Sequence, residues 1–219
     1  MARILLTAGP TRAYLDDVRY LTNASSGRMA RALAAAALDR GHVVTVVSGP
    51  VQVAYPRAAR VVPVVTTAEM LDAAITELPQ HDGVIATAAP CDFEPVSREP
   101  GKIPRTPSGL TVRLRATTDV IATLAARAAP TQWFVAFALE PGADPRRAFE
   151  KIDAKRCDLI VVNDVSALDA TTTEVTVYDR GHAAVGDRRG SKRAVAAWLI
   201  RLVEARLMST ADRRRPDRL

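Results

Sequence analysis

From Arg3 to Asn163 the chain alternates short β-branched runs with alanine-rich amphipathic segments, the pattern of a parallel α/β sheet. Arg3–Thr7 reads as a first strand. Gly27–Arg40 reads as a helix, with Met29, Leu33 and Ala36 on one stripe and Gly41 as its stop. Val43–Ser48 and Arg60–Val65 are strands, Thr67–Leu78 is a helix that Thr67 can cap, and Val84–Thr87 is a fourth strand. An irregular stretch from Ala88 to Gly109 follows, pinned by Pro90, Pro95, Pro100, Pro104 and Pro107. Loops of that length inside a compact domain are usually functional or disordered. Beyond it, Leu110–Leu114 alternates as a strand, Asp119–Ala128 is a helix with an acidic start, and Trp133–Ala138 is a strand. Asp144–Lys155 is a helix, Asp158–Asn163 a strand, and Lys192–Leu207 the closing helix. Glu174–Tyr178 and Ala183–Val185 are expected to form a hairpin around Asp179–His182. The expected fold class is α/β: a doubly wound, mostly parallel Rossmann-like sheet with helices on both faces and a small β-hairpin extension. It forms one domain over residues 1–208, followed by a basic tail, 209–219, expected to be disordered.

Composition narrows the function. Aromatics make up only 5% of the 219 residues, so Val, Leu, Ile and Ala must fill the core. No apolar run approaches the ~18 residues of a membrane span. The opening Met1–Thr7 is too short for a secretory signal, so a cytoplasmic protein without membrane contact is expected. Cys91 and Cys157 support no disulfide framework and no metal-ligand spacing, and suit small buried packing positions. The net charge of +6 could suggest nucleic acid, but Arg213, Arg214, Arg215 and Arg218 carry much of the excess. The body is mildly basic, which fits small anionic substrates and no nucleic-acid partner. Among 30 cationic residues the chain keeps lysine only at Lys102, Lys151, Lys155 and Lys192. A compact ammonium differs from a guanidinium mainly where it must meet a phosphate oxygen, so these four are site candidates.

In an open α/β sheet, ligands bind beyond the carboxyl ends of the strands. After the first strand come Thr7-Ala8-Gly9-Pro10-Thr11-Arg12, then a polar approach with Arg19 and Asn23, and then Ser25-Ser26-Gly27 at the start of a helix. The G-x-G-x-x-G of dinucleotide folds is missing. Ser25 or Ser26 could simply cap the helix. Alternatively, the hydroxyls and free N–H groups could cradle a phosphate. Lys151 and Lys155 stand i, i+4 on one predicted helix, either as an exposed charged face or as a pair that an anion bridges.

Taken in order, these segments resemble the phosphopantothenoylcysteine synthetase family. The resemblance rests on Thr7–Arg12, Val18–Met29, Val47–Val51, Thr67–Met70, Ala88–Phe93, Gly101–Ile103, Thr118–Ile121, Ala136–Glu140, Lys151–Lys155, Asp158–Asp164 and Ser191-Lys192. It implies a stand-alone ligase domain, without the flavin-dependent decarboxylase domain that bacteria often fuse upstream. That ligase activates 4′-phosphopantothenate with CTP, or ATP in eukaryotic relatives, and couples the acyl-nucleotide to cysteine in coenzyme A biosynthesis. It further implies a homodimer, and Mg²⁺ bound chiefly through the nucleotide phosphates rather than by a metal site of the chain. The catalytic residues implied are Asn23 and Lys102. Gly9, Ser25, Ser26, Gly27, Ala88, Asp92, Lys102, Thr118, Asp119, Val120, Ile121, Phe137, Lys151 and Lys155 would bind nucleotide, and Arg19, Asn23 and Ala88 the acid. Phe137 could equally be core, Asn23 a turn residue and Lys102 a solvated loop lysine. The sequence departs from the family at Ala24, Pro90-Cys91, Pro104-Arg105, Thr118 and Ala136, positions that bear on which acid is taken. A paralogue joining another carboxylate to another amine, or a nucleotide-binding module without catalysis, remains open. A short-chain dehydrogenase is excluded: the glycine fingerprint is missing and no Tyr has Lys four positions later.

Overall fold

The computed structural model describes residues 1–107, 109–164 and 171–208, so the expected tail lies outside the described residues. Six strands run parallel in the order β10(Leu159–Asn163), β9(Trp133–Leu139), β6(Gly83–Ala86), β1(Arg3–Ala8), β4(Val43–Ser48) and β5(Arg60–Pro63). β11(Thr172–Asp179) and β12(Ala184–Ser191) add antiparallel strands beside β10 and complete an eight-stranded sheet. The expected hairpin is therefore longer than its sequence pattern suggested, and it extends the main sheet.

Alternation along the strands sorts side chains to two faces. Ile4, Leu6, Ile85, Val135 and Val161 meet α1(Arg28–Asp39) and α5(Lys192–Val203). Leu5, Val84, Phe134, Ala136 and Ile160 meet α2(Thr67–Glu77), α3(Val120–Arg127) and α4(Pro145–Ala154). Both faces of β1, β4, β6, β9 and β10 are largely buried, which explains why these strands read as near-continuous apolar runs, while the edge strand β5 is mostly exposed. Cys91 and Cys157 are both free and buried, and burial pushes the Cys157 thiol up to about 12, so it packs as a protonated apolar group. Among the described residues no helix is long and apolar enough to cross a membrane.

Local chemistry corrects several boundaries. Thr66, not Thr67, caps α2. Its Oγ1 accepts the Glu69 N–H at 3.1 Å, and the Glu69 carboxylate accepts the Thr66 N–H in return. Thr67 turns inward, sharing a 2.8 Å hydrogen bond with the Thr11 hydroxyl. The expected strand Leu110–Leu114 is displaced: β8(Leu114–Ala116) pairs with β7(Phe93–Pro95), inside the stretch read as irregular. A second small ribbon, β2(Arg12–Tyr14) with β3(Tyr20–Thr22), rises from the first loop.

Thr66→Ala should remove the capping box at a cost of about 1 kcal/mol. The melting temperature should then fall by roughly 2–4 °C, with the native circular dichroism spectrum kept.

Candidate active site

The carboxyl ends of β1, β6, β9 and β10 converge on a cavity of about 460 Å³. β1 sits between strands that the chain reaches in opposite directions, the switch point at which an open sheet leaves a crevice. Of the sequence-predicted residues, Asn23, Ser25, Ser26, Gly27, Ala88, Asp92, Phe137 and Lys151 line this cavity together. Lys192, one of the four lysines singled out in the sequence, joins them.

The start of α1 removes one of the two readings of its serines, helix capping. The cap position is Gly27, in the left-handed region at φ 73°, and no side chain caps the helix. A Cβ on Gly27 would lie 2.9 Å from the Val51 side chain, so a non-glycine residue would be strained and crowded. Neither Ser25 nor Ser26 is spent on capping, and the first-turn N–H groups of α1 open toward the cavity. An uncapped helix start with flanking hydroxyls is a setting that suits an anion. Among the described lining residues, Asp92 is the one carboxylate against Arg28, Lys151 and Lys192.

The floor is held by the loop after β6. Asn23 donates through Nδ2 to the Ala89 carbonyl at 3.2 Å and the Pro90 carbonyl at 2.8 Å, tying the α1 approach to that loop. A neighbouring cavity of about 290 Å³ shares Asn23, Ala24, Ser25 and Ser26 and is bounded by Arg12, Tyr20 and Pro50. The guanidinium of Arg12 stacks 4.3 Å over the Tyr20 ring.

Lys151 and Lys155 do not face each other across an unpaired gap. Lys151 pairs with Glu140, which is only 2% exposed, and Lys155 pairs with Asp119 at 3.1 Å. Asp119 also caps α3 by accepting the Ala122 N–H at 3.0 Å. Thr118, Asp119, Val120, Ile121 and Lys155 therefore form a group of their own and do not line the cavity. Val120 and Ile121 are buried in the core. Gly9, buried at φ 71°, shapes the turn after β1, and its carbonyl accepts the Ala89 N–H at 2.9 Å. Ala136 is buried in the sheet, while Ala24 and Pro90 line the cavity.

Arg19 and Lys102 stand on a third assembly. The Arg19 guanidinium grips the fully buried Asp16 carboxylate, with its Nε at 2.9 Å, and also donates to the Ile103 carbonyl at 2.6 Å. Asp16 Oδ2 accepts the Ile103 N–H at 3.0 Å, and Asp17 Oδ2 accepts the Gly101 N–H at 2.8 Å. Consecutive carboxylates thus clasp the backbone on both sides of Lys102. Lys102 itself is exposed, and among the described residues nothing pairs with its ammonium. Sequence reasoning did not single out Asp16 or Asp17, since two adjacent aspartates in a loop carry no motif that points to the backbone they hold.

The chain matches the family model described as the DNA/pantothenate metabolism flavoprotein C-terminal domain over residues 1–207. The chain belongs to this family. It is 38% identical over 185 residues to the coenzyme A biosynthesis bifunctional protein CoaBC of Bacillus subtilis, covering 82% of this chain and 45% of that protein. A crystal structure of the C-terminal domain of a CoaBC protein superimposes with a TM-score of 0.79 at 32% identity, covering 93% of this chain and 94% of that one. A cysteine/cysteine sulfinic acid decarboxylase from an unidentified prokaryote is 34% identical over 206 residues, 92% of this chain and 57% of that protein. The chain thus spans about half the length of the curated relatives it matches.

Within this family's frame the Asp16 clasp makes an acid prediction. The Arg19 guanidinium, aided by the N–H groups of Arg19, Val18 and Ile103, holds the Asp16 carboxyl well below the usual carboxylate range. Arg98 and the Gly101 N–H lower Asp17 likewise. A depressed folded pKa contributes stability that is fully present above the ordinary value of 3.8 and is lost as pH falls through the folded value. Protection of the Gly101 and Ile103 amides from hydrogen exchange should therefore survive through pH 4 and fail only in stronger acid. In Asp16→Asn, the Ile103 amide should exchange roughly tenfold faster at every pH where the wild-type Asp16 is ionised, as a lost charge-assisted hydrogen bond implies, and the difference should close in strong acid.

Proposed function

We propose that the chain is a ligase that activates 4′-phosphopantothenate with CTP and couples it to cysteine, giving 4′-phosphopantothenoylcysteine. The observation that carries this reading is the α1 start: an uncapped helix N-terminus with Ser25 and Ser26, on a cavity that also holds Phe137 and Lys151. Family membership and the curated CoaBC relatives support the same activity. ATP is the alternative nucleotide, because base choice depends on backbone groups that a side-chain pattern does not reveal. The decarboxylase relative is similar over 92% of this chain, but the uncapped α1 start with Ser25 and Ser26 favours a phosphate-bearing substrate over a decarboxylase reading.

In the first step a carboxylate oxygen of the acid attacks the α-phosphorus and pyrophosphate leaves. Both partners are anions, so positive charge must screen the approach and meet the developing oxyanion. Lys102 is suited to that task, since its backbone is fixed by Asp16 and Asp17 while its ammonium is exposed. In the second step the cysteine amine attacks the acyl carbon, CMP leaves, and the ammonium proton passes to solvent. Asn23 stands between the α1 start and the Ala89–Pro90 loop, where the acyl-nucleotide would lie. Mg²⁺ would accompany the triphosphate on its own oxygens. Among the described residues no group of three or more His, Cys, Asp or Glu side chains is placed to hold a metal ion, and Asp92 is the carboxylate nearest that role. A cytoplasmic homodimer completes the reading. Phe93 and Leu114 on one ribbon and Tyr20 and Leu21 on the other expose apolar surface that a second copy would cover.

The test is a matrix of nucleotides against carboxylates read by pyrophosphate release, and only 4′-phosphopantothenate with CTP or ATP should score. Lys102→Gln should lower pyrophosphate release by ~10²–10³ with folding intact. Wild-type release from that variant would remove Lys102 from the chemistry.

Asn23→Asp should separate the half-reactions. An aspartate loses the bonds to Ala89 and Pro90 and turns charge toward the phosphate, so the adduct should form and then persist. Mass spectrometry of quenched reactions should detect a carboxylate–nucleotide adduct that is transient in the wild type. Normal turnover, or neither adduct nor product from a folded variant, would discard this role.

A further inference from the structure

Thr173 carries a hydroxyl that the fold does not use. The residue is 5% exposed, and among the described residues no donor or acceptor reaches its Oγ1. An unpaired buried hydroxyl is costly, and valine would fill the same space in a strand whose next inward residues are Val175 and Val177. Thr173 lies on the wall of the main cavity. Across the hairpin it pairs with Gly190, and its neighbour Thr172 pairs with Ser191, the cap of α5. The Lys192 N–H donates to the Thr171 carbonyl at 3.3 Å, and Ser191 Oγ accepts the Ala194 N–H at 3.2 Å. A twelve-residue helix therefore begins beside Thr173, and its first residue, Lys192, lines the same cavity.

We infer that Thr173, Lys192 and the start of α5 form a second phosphate subsite, distinct from the α1 start but open to the same cavity. The hydroxyl donates to a phosphate oxygen, the ammonium supplies charge, and the helix end adds positive potential. A neutral ribose hydroxyl would satisfy Thr173 but would leave the cationic setting unused. The inference rests on the ligase reading only for the two sources of phosphate: the nucleotide's outer phosphates and the monoester of the acid.

Calorimetric titration of the full chain separates them, using inorganic pyrophosphate, 4′-phosphopantothenate and, as a neutral control, cytidine. Thr173→Val and Lys192→Gln should each weaken one phosphate probe by about tenfold, as loss of one charge-assisted hydrogen bond implies. Thr173→Ser should bind like the wild type, and cytidine should be unaffected throughout. Whichever probe weakens names the source. The ligand-free Thr173→Val protein should melt at or above the wild-type temperature, since it loses an unpaired hydroxyl. The subsite is overturned if both probes bind both variants as tightly as wild type, if neither probe binds wild type, or if cytidine is what weakens. It is also overturned if Thr173→Val melts clearly lower, which would make Thr173 a packing residue. Because no turnover is measured, a chain that releases no pyrophosphate yet binds through Thr173 fails the ligase reading and keeps the subsite.

Discussion

The carboxyl edge of this sheet hangs on Thr11. Its hydroxyl bonds Thr67 at 2.8 Å and accepts the Cys91 N–H at 2.8 Å, while its carbonyl takes the Thr22 hydroxyl at 2.8 Å. The residue is fully buried, so these bonds form away from competing water and carry more weight than surface contacts. They tie the loop after β1 to the start of α2, to the loop after β6 and to the first ribbon. Gly49 completes the knot: any Cβ there would fall 1.7 Å from the Pro10 carbonyl, so only glycine lets the β1 and β4 loops touch. The loop after β6, which supplies Ala89 and Pro90 to the cavity, is positioned from this fixed edge.

The sheet was legible in the sequence because its signal is local. Runs such as Val43–Ser48 and Leu159–Asn163 are rich in β-branched apolar residues, and the helices between them carry a stripe and a stop. The ribbons were not legible, because three-residue strands such as Tyr20–Thr22 and Leu114–Ala116 have no periodicity to read. They exist through pairing with a partner strand brought near by the rest of the fold. The cap of α2 failed for a finer reason. Thr66 and Thr67 are identical residues, and only the Glu69 side chain reaching back to the Thr66 N–H selects between them.

The site was legible as a set of residues but not as an arrangement. Eight predicted residues meet in one cavity, yet the sequence could not show that Lys151 and Lys155 each have a carboxylate partner. Those partners change the electrostatics. Glu140 is buried, so its charge is tolerable only while Lys151 stays beside it. An arriving phosphate would therefore share Lys151 with Glu140 rather than capture a free ammonium. Lys102 differs, since its carboxylate neighbours hold backbone N–H groups and leave its ammonium unpaired among the described residues. The chain separates a cation committed to a buried carboxylate from one that is exposed and unpaired among the described residues.

The opposed roles of Asp16 and Glu140 follow from where each carboxylate sits. Asp16 is buried but surrounded by donors, namely Arg19 and the N–H groups of Val18, Arg19 and Ile103, so it remains ionised and rigid. A buried anion satisfied on this scale fixes the direction of the groups that satisfy it, here the loop that presents Lys102. Arg19, which the family resemblance assigns to the acid's phosphate, is already committed to Asp16 and to the Ile103 carbonyl. A phosphate meeting Arg19 would have to accept the remaining donors of a guanidinium whose plane is set. The Asp16–Arg19 pair therefore couples the place where the acid would be read to the loop that would activate it, since one carboxylate holds both the Arg19 guanidinium and the Ile103 N–H.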